Sequence, residues 1–175
     1  MPKPDATRQE QLVRQFNYPV TSAMWDMSQV PVKGIKAFFL SDVCAAYRRS
    51  AYKAIGGFEH PLRTNEDMFF AAQALQKGYS VAYAGDAAVL HSHNFTLRQQ
   101  YQRNRLQGYE IARHHSLLQD VSRSSEGAGM VKAVAVSLLR EGRFLSFVRF
   151  GLDCVARLLG SKTGEAEWRK ANPHR

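Results

Sequence analysis

Residues 55–68 read Ile-Gly-Gly-Phe-Glu-His-Pro-Leu-Arg-Thr-Asn-Glu-Asp-Met, and this stretch decides the fold because two predicted helices meet at it. The first helix runs from Arg49 to Ile55 and ends at Gly56-Gly57, since glycine readily adopts the left-handed conformation that closes a helix. The second begins at Asn65-Glu66-Asp67 and ends at Gly78. Its predicted apolar face, at helical spacing, consists of Met68, Ala71, Ala72 and Leu75.

Short apolar segments on either side of these helices predict strands. The run Ile35–Leu40 follows Gly34 and ends in four apolar residues, which is typical of a strand buried on both faces. Two further strands are predicted at Val81–Tyr83 and Ala88–His91, separated by the turn pair Gly85-Asp86. The order strand, helix, helix, strand, strand predicts an α/β fold.

The segments before and after this unit predict helices and one loop. The spacing of apolar residues predicts a first helix from Thr7 to Phe16. The aperiodic stretch between Pro19 and Pro31 is predicted to be a loop. Further along, Thr96 and Gln99 form a capping-box signature, which predicts a long helix ending near residue 115.

The C-terminal third of the sequence predicts helices alone. Helices are expected at Met130–Arg140 and Phe144–Leu159, with a frayed tail over 169–175. The sequence thus divides into an α/β unit (1–116), a polar linker (117–129) and a basic helical tail (130–175). In the last helix a charged stripe at four-residue spacing is predicted to face solvent or lipid headgroups, and it excludes a membrane span; the stripe is Arg149, Asp153 and Arg157.

Composition limits the classes of function. The chain has 175 residues, of which 45% are hydrophobic and 22% charged, so it has enough apolar material for one folded domain. The 24 Lys and Arg against 15 Asp and Glu give a net charge of 24 − 15 = +9, which favours phosphates, anionic lipid or nucleic acid as partners. Cys44 and Cys154 make neither a disulfide framework nor a zinc cluster. No apolar export signal follows Met1, which predicts a cytoplasmic protein.

The acidic pair Glu66-Asp67 has two interpretations. Carboxylates in the first turn of a helix interact favourably with its dipole, and Thr64 could form a capping box with Asp67. Alternatively, a carboxylate fixed at the start of a helix can act as a general base when burial raises its pKa. The spacing alone favours the first interpretation.

Two other groups could carry chemistry. In a regular strand His91 and His93 would point to opposite faces, so this pair is weak evidence for a metal site. Arg48 and Arg49 precede a helix and could hold a phosphate by bidentate hydrogen bonds, although surface salt bridges are the commoner role of such residues. The sequence contains no Gly-x-Gly-x-x-Gly, Walker, Gly-x-Ser-x-Gly or Asp-x-Asp motif.

Five ordered motifs together resemble the second half of family 2 glycosyltransferases, in the bacterial rhamnosyltransferase-like branch. The resemblance covers about residues 4–116, and its most specific part is Gly-Gly-Phe followed by Glu-Asp. It implies a partial GT-A fold, the acceptor-side half of a nucleotide-diphospho-sugar transferase. The matching segments are Phe39–Arg49, Ile55–Phe58, Asn65–Met68, Gly78-Tyr79 and His91–Asn94.

The resemblance also implies roles for individual residues. Asp67 aligns with the base that deprotonates the acceptor hydroxyl in an inverting reaction, and Glu66 would support it or bind the acceptor. His91 resembles the histidine that helps to hold a divalent metal, Mg or Mn, or the diphosphate. Ser41 and Asp42 occupy positions that line the donor-sugar and acceptor cleft, to which the arginine pair adds a candidate phosphate contact.

The family's first half, a nucleotide-binding unit ending in Asp-x-Asp, is not matched by this sequence. We therefore expect a truncated gene product or one half of a split enzyme, inactive without a missing N-terminal half. The implied partners are a nucleotide-diphosphate sugar donor and a surface-polysaccharide or lipid-linked acceptor, with rhamnose as a candidate sugar.

Two other functions compete with sugar transfer. One is a non-catalytic module that binds a membrane surface or a partner protein; the other is a nucleic-acid-binding domain. The dispersed basic residues and the lack of a recognised motif argue against nucleic acid. The tail predicts a peripheral position at the inner membrane, since a basic amphipathic helix can lie in the headgroup plane of anionic lipid. Its cations are Arg140, Arg143, Arg149, Arg157 and Lys162.

Overall fold

A computed structural model describes residues 1–118 and 124–173, and it is mostly helical with one small sheet. This content is consistent with the α/β class. The helices are α1 (Arg8–Asn17), α2 (Val30–Lys33), α3 (Arg49–Ile55), α4 (Glu66–Gln76), α5 (Leu97–Arg113), α6 (His115–Leu118), α7 (Ser124–Arg140) and α8 (Phe144–Ala171). The strands are β1 (Ala23–Trp25) and β2 (Val81–Tyr83), and short 3₁₀ turns occur at Met27–Gln29, Gly34–Phe38 and Asp42–Cys44.

Local signals predicted the ends of several helices correctly. Thr96 accepts from the backbone N–H of Gln99, whose side chain accepts from the backbone N–H of Thr96, so the capping box of α5 is confirmed. Gly56 closes α3 with φ +111°. The predicted capping by Thr64 is wrong, because the N-cap residue of α4 is Asn65, which has φ +65° and makes no side-chain cap.

The predicted strand at Ile35–Leu40 is wrong. Gly34 has a positive φ of 59° and starts a 3₁₀ turn through Phe38. Ala37 and Phe38 are fully buried, and the Trp25 indole N–H donates to the Ala37 carbonyl at 2.7 Å. The run is apolar because it lies in the core, and burial gives the same pattern to a helical turn and to a strand.

The sheet has two antiparallel strands, in which Ala23 lies opposite Tyr83 and Trp25 opposite Val81. β2 was predicted, but β1 lies in a segment predicted to be a loop. The predicted strand Ala88–His91 is also wrong, since residues 88–96 have no regular structure. They run beside the start of the chain instead, where the backbone N–H of His91 donates to Met1 O at 2.9 Å.

Three groups of side chains form the interior. The main core lies between α4, β1, β2 and the 3₁₀ turn at 34–38. An aromatic cluster lies between α3 and α4 and consists of Tyr47, Tyr52, Phe58 and Phe70, with Ile55 and Ala74 beside it. A third group joins α1, α7 and α8 through Val134, Leu138 and Phe150.

The C-terminal helices are longer than predicted and pack on the rest of the chain. α7 starts at Ser124 and α6 ends at Leu118, so of the predicted linker only residues 119–123 lie outside the described residues. α8 continues to Ala171, through the start of the predicted frayed tail. It crosses α5 at very short range, because a Cβ on Gly164 would lie 1.9 Å from the Arg105 carbonyl oxygen. The division into a domain, a linker and a tail stays a prediction.

The predicted solvent-facing position of the charged stripe of α8 is wrong for Asp153, which is buried, whereas Arg149 is exposed and Arg157 is half-buried. Asp153 is only 7% exposed and accepts from Arg157 Nε at 2.6 Å. Arg149 lies within 3.5 Å of the Phe95 carbonyl oxygen. Spacing identifies residues that share one face of a helix but does not show which way that face points.

Candidate active site

The start of α4 holds the acidic pair that the sequence singled out. Asp67 is half-buried, and its Oδ1 accepts from the backbone N–H of Met68 at 2.7 Å. Its Oδ2 accepts a longer contact, 3.4 Å, from the backbone N–H of Asp42. This second contact brings the 3₁₀ turn at residues 42–44 to the first turn of α4, so two carboxylates predicted to share a site are neighbours.

Tyr47 contacts the side chain of Asp42, whose backbone N–H contacts Asp67. Its hydroxyl donates a hydrogen bond to Asp42 Oδ1. The Tyr47 ring meets Tyr52, Phe58 and Phe70 edge-on, with centroids 5.2–5.9 Å apart. Edge-to-face aromatic contacts of this kind fix a ring's orientation. The aromatic cluster thus holds a hydroxyl against the exposed Asp42 carboxylate.

Electrostatics favours the protonated form of both acidic groups. The pKa of Asp67 is raised, chiefly by burial and also by the nearby carboxylates of Glu66 and Asp42, although the hydrogen bonds from the backbone N–H groups of Met68 and Asp42 act to lower it. The pKa of Tyr47 is also raised, first by burial and then by the hydrogen bond to Asp42. A carboxylate with a raised pKa is a stronger base, which is the property that proton abstraction requires.

The other predicted residues of this region lie close to Asp42, Tyr47 or Asp67 in the sequence. Ser41 is half-buried and directly precedes the 3₁₀ turn. Arg48 and Arg49 are exposed at the start of α3, next to Tyr47 in the chain. Glu66 is half-buried at the first position of α4. Their predicted roles in binding stay predictions.

The surroundings of His91 differ from those predicted. Because no strand forms there, the His91 and His93 rings do not diverge but meet edge-on with centroids 4.5 Å apart. Burial lowers the pKa of His91, and the neighbouring His93 lowers it further, so the neutral imidazole is favoured. His91 is joined to Met1 through its backbone, and its ring contact is with His93 and not with Asp67.

The resemblance implies a divalent cation, which would need several His, Cys, Asp or Glu side chains close together as ligands. Among residues 1–118 and 124–173, no three His, Cys, Asp or Glu side chains are arranged to hold a metal ion. The described residues therefore do not form a complete metal site, and His91 as a ligand stays a prediction.

Sequence reasoning missed the polar contacts that hold α5 behind the site. His114 lies on α5's C-terminal side, where its Nε2 is 3.0 Å from a Glu59 oxygen and its ring stacks on Phe69 of α4 at 4.2 Å. Gln107 donates to the Asn65 side-chain oxygen at 3.3 Å, directly before the acidic pair. These partners are 42–55 residues apart in the chain, so no local pattern could have revealed them.

A small cavity of about 30 Å³ lies elsewhere, between α1, residues 93–95 and α8, and Asp67 does not line it. That volume holds about one water molecule. Arg149, Asp153 and Arg157 of α8 form part of its lining. The cavity belongs to the packing of α8 and not to the carboxylate site.

Comparisons with known proteins find two similar rhamnosyltransferases. O-antigen chain rhamnosyltransferase WbaN of Salmonella anatum is 36% identical over 170 residues, which cover 94% of this chain and 52% of that protein. O-antigen chain rhamnosyltransferase RfbN of Salmonella typhimurium is 35% identical over 170 residues, with the same coverage. No family model matches the chain. No solved structure matches it either.

The chain spans about half the length of the curated relatives that it matches. The matched region covers 94% of the chain, so it includes α4 with its acidic pair. These comparisons identify the chain as similar to a segment of glycosyltransferases.

Proposed function

We propose that this chain forms the acceptor-side half of a family 2 glycosyltransferase with a GT-A-type fold. The reaction would move a sugar, with rhamnose as the first candidate, from a nucleotide-diphosphate donor to a glycan or lipid-linked acceptor with inversion. The observation that carries the proposal is the half-buried Asp67, whose pKa burial raises, beside Asp42. The similarity to two rhamnosyltransferases supports sugar transfer as the reaction in which this carboxylate acts.

In this mechanism Asp67 accepts the proton of the acceptor hydroxyl as its oxygen attacks the anomeric carbon. The bond from that carbon to the donor diphosphate breaks, and the nucleoside diphosphate leaves with the electron pair. The backbone N–H of Met68 holds Oδ1 of the base, which leaves Oδ2 and its long contact with Asp42 for the incoming hydroxyl. A hydroxyl within hydrogen-bond reach of Oδ2 would have the geometry that general base catalysis needs.

Neighbouring residues would bind the two substrates. Glu66 and Ser41 are proposed to contact the acceptor or the donor sugar, and Asp42, oriented by Tyr47, would accept from a sugar hydroxyl. Arg48 and Arg49 are proposed to bind the diphosphate, for which the guanidinium group has suitable paired donors. His91, favoured in its neutral form, is proposed as a further contact for the diphosphate.

A divalent cation, Mg or Mn, is proposed for the complete enzyme, where it would neutralise the leaving diphosphate. The described residues lack a full ligand set, so further ligands would come from a nucleotide-binding unit. The chain alone is therefore expected to transfer no sugar.

A chimera tests the proposed function. In the Salmonella anatum relative, the matching segment is replaced by residues 1–175, and rhamnose transfer is measured with membranes of a strain that lacks the relative. Transfer above the background of the empty strain is the expected result, because the segment supplies the base and the acceptor side. A chimera that is folded by circular dichroism and binds the donor, yet transfers nothing, would contradict the proposal.

Tyr47→Phe tests the proposed role of the tyrosine hydroxyl. The change removes the hydrogen bond to Asp42 and keeps the ring in the aromatic cluster. A hydrogen bond to a charged group contributes about 1.5–3 kcal/mol, so we expect a loss of about tenfold or more in kcat/KM in the chimera.

Tyr79→Phe is the matched control, because Tyr79 packs on the same cluster. It should leave kcat/KM within about twofold of the parent, because the hydroxyl that holds Asp42 belongs to Tyr47 and not to Tyr79. Equal kcat/KM for Tyr47→Phe and the parent chimera would exclude the proposed positioning role.

A further inference from the structure

We propose that the outward face of α7 and α8 docks onto an anionic lipid surface. This face lies away from the carboxylate site, and its docking does not depend on sugar transfer. Three features point to lipid: the orientation of α8, the apolar side chains that α8 exposes, and the cations at both ends of the face.

The first observation is the apolar character of the exposed side chains, which we call the leucine face. Leu145 is 89% exposed, and most of the others are more than half exposed. Contiguous apolar exposure on this scale is uncommon on a monomer and marks a surface that binds something. The leucine face consists of Phe144, Leu145, Val148, Leu152, Val155, Leu158 and Leu159 of α8, continued on α7 by Val131, Val136 and Leu139.

The second observation is that the polar side of α8 is already occupied. Asp153 and Arg157 form their ion pair against the rest of the chain, and Phe150 packs beside them on α7. Gly160 and Gly164 lie against the backbone of α5. Rotating α8 to bury its leucines would remove these contacts, so the leucine face is the side of the helix left for an external partner.

The third observation is the charge at the two ends of the leucine face. Arg140 and Arg143 lie at the turn between α7 and α8, before Phe144, and both are exposed, with Glu141 between them paired with Arg143 at 3.4 Å and with Arg8 at 2.6 Å. Lys162 is exposed. It lies four residues after Leu158 and seven after Val155, which places it on the same side of the helix, and Lys170 is exposed further along. Asp153, which is buried, is the sole acidic residue between positions 144 and 164 of the sequence, and the acids just beyond these positions, Glu141, Glu165 and Glu167, each pair with an arginine.

This charge distribution selects the partner. A second copy of the chain would bring cations against cations in a parallel or an antiparallel arrangement of the two α8 helices, which is unfavourable. An anionic lipid surface instead meets the cations at the headgroups and the leucines at the acyl boundary. The 16 residues from Phe144 to Leu159 extend about 24 Å, and among the described helices none is long and apolar enough to cross a membrane.

The proposal is tested by sedimentation of the full chain with sucrose-loaded vesicles. The vesicles contain phosphatidylcholine with or without phosphatidylglycerol, and the protein is also spun without vesicles. We expect binding to the anionic vesicles at low salt, weaker binding at high salt, and weaker binding again to phosphatidylcholine alone.

Two variants separate the apolar and the charged contributions. Leu145→Ser with Leu152→Ser and Leu159→Ser should lower the partition coefficient at least tenfold, since the three side chains lose their burial in lipid. Lys162→Gln with Lys170→Gln should lower it about fivefold for each cation. All five residues are exposed, so the fold should tolerate both variants, which circular dichroism checks.

The matched control is Val20→Ser with Val32→Ser, two valines that are each 88% exposed away from the leucine face. Its vesicle binding should equal that of the parent chain. The proposal is overturned if the parent chain stays in the supernatant with anionic vesicles at low salt, or if the triple serine variant binds as well as the parent. It is also overturned if sedimentation velocity shows a dimer that the triple serine variant dissociates, because the occupant would then be a second copy.

Discussion

Gly164→Ala is expected to lower the thermal midpoint of unfolding by about 5–10 °C. The added Cβ would lie 1.9 Å from the Arg105 carbonyl oxygen and 2.7 Å from the Tyr109 backbone nitrogen, so α5 and α8 must move apart. Both close atoms belong to backbone and cannot rotate away. Overpacking of this kind costs about 2–3 kcal/mol, and in a chain of this size each kcal/mol shifts the midpoint by about 2–4 °C.

A second glycine in the same helix provides the control. Gly151 is exposed, and a Cβ added to it would have no neighbouring atom within 4 Å. Gly151→Ala should therefore raise stability by about 0.5–1 kcal/mol, because alanine is the better helix former. Differential scanning calorimetry measures both variants. A Gly164→Ala midpoint equal to that of the parent would show that the two helices do not cross as closely as described.

Asp67→Asn is expected to reduce rhamnose transfer by the chimera about 10²–10⁴-fold, the usual contribution of a general base. The amide can still accept the hydrogen bond from the Met68 N–H, so the start of α4 keeps its shape. What it cannot do is take a proton from the acceptor hydroxyl. Single-turnover rates at saturating donor and acceptor measure the chemical step, and a rate within about threefold of the parent would contradict the assignment.

The stability of Asp67→Asn shows whether a loss of activity comes from unfolding. Burial raises the pKa of Asp67 above the ordinary value of 3.8, so the folded state favours the protonated carboxyl. The stabilising contribution of this group is therefore present below pH 3.8 and is lost as the pH rises through the raised value. At neutral pH the neutral amide removes an unfavourable buried charge, and the thermal midpoint should be equal to or above that of the parent. Asp86→Asn, an exposed acid in a turn, should leave both activity and midpoint unchanged.

How much of the fold the sequence predicts depends on the range of the interactions involved. The capping box at Thr96 and the glycine that ends α3 were predicted because each acts within a few residues. β1 was missed because its partner, β2, is 58 residues further along. The turn at 34–38 was taken for a strand because burial, and not strand pairing, accounts for its apolar residues.

The candidate site shows the same limit. The sequence motif identified Asp67 and Asp42, and the structure brings them together. Tyr47 lies within the same motif, but its hydrogen bond to Asp42 depends on an aromatic cluster assembled from three separate segments. The burial of Asp153 likewise depends on packing against segments outside α8, which the spacing within α8 does not contain.

The close crossing of α5 and α8 joins two helices that leave the ribosome at different times. Arg105 and Glu167, which pair across the crossing at 2.8 Å, are 62 residues apart. At about 5–20 residues per second, α5 leaves the ribosome about 3–12 s before its partner. During that interval the surface around Gly108 is uncovered, and its exposure is harmless because α5 is mostly Gln, Arg and Asn. Because nine of its 17 residues are Gln, Arg or Asn, α5 exposes little continuous apolar surface during this interval.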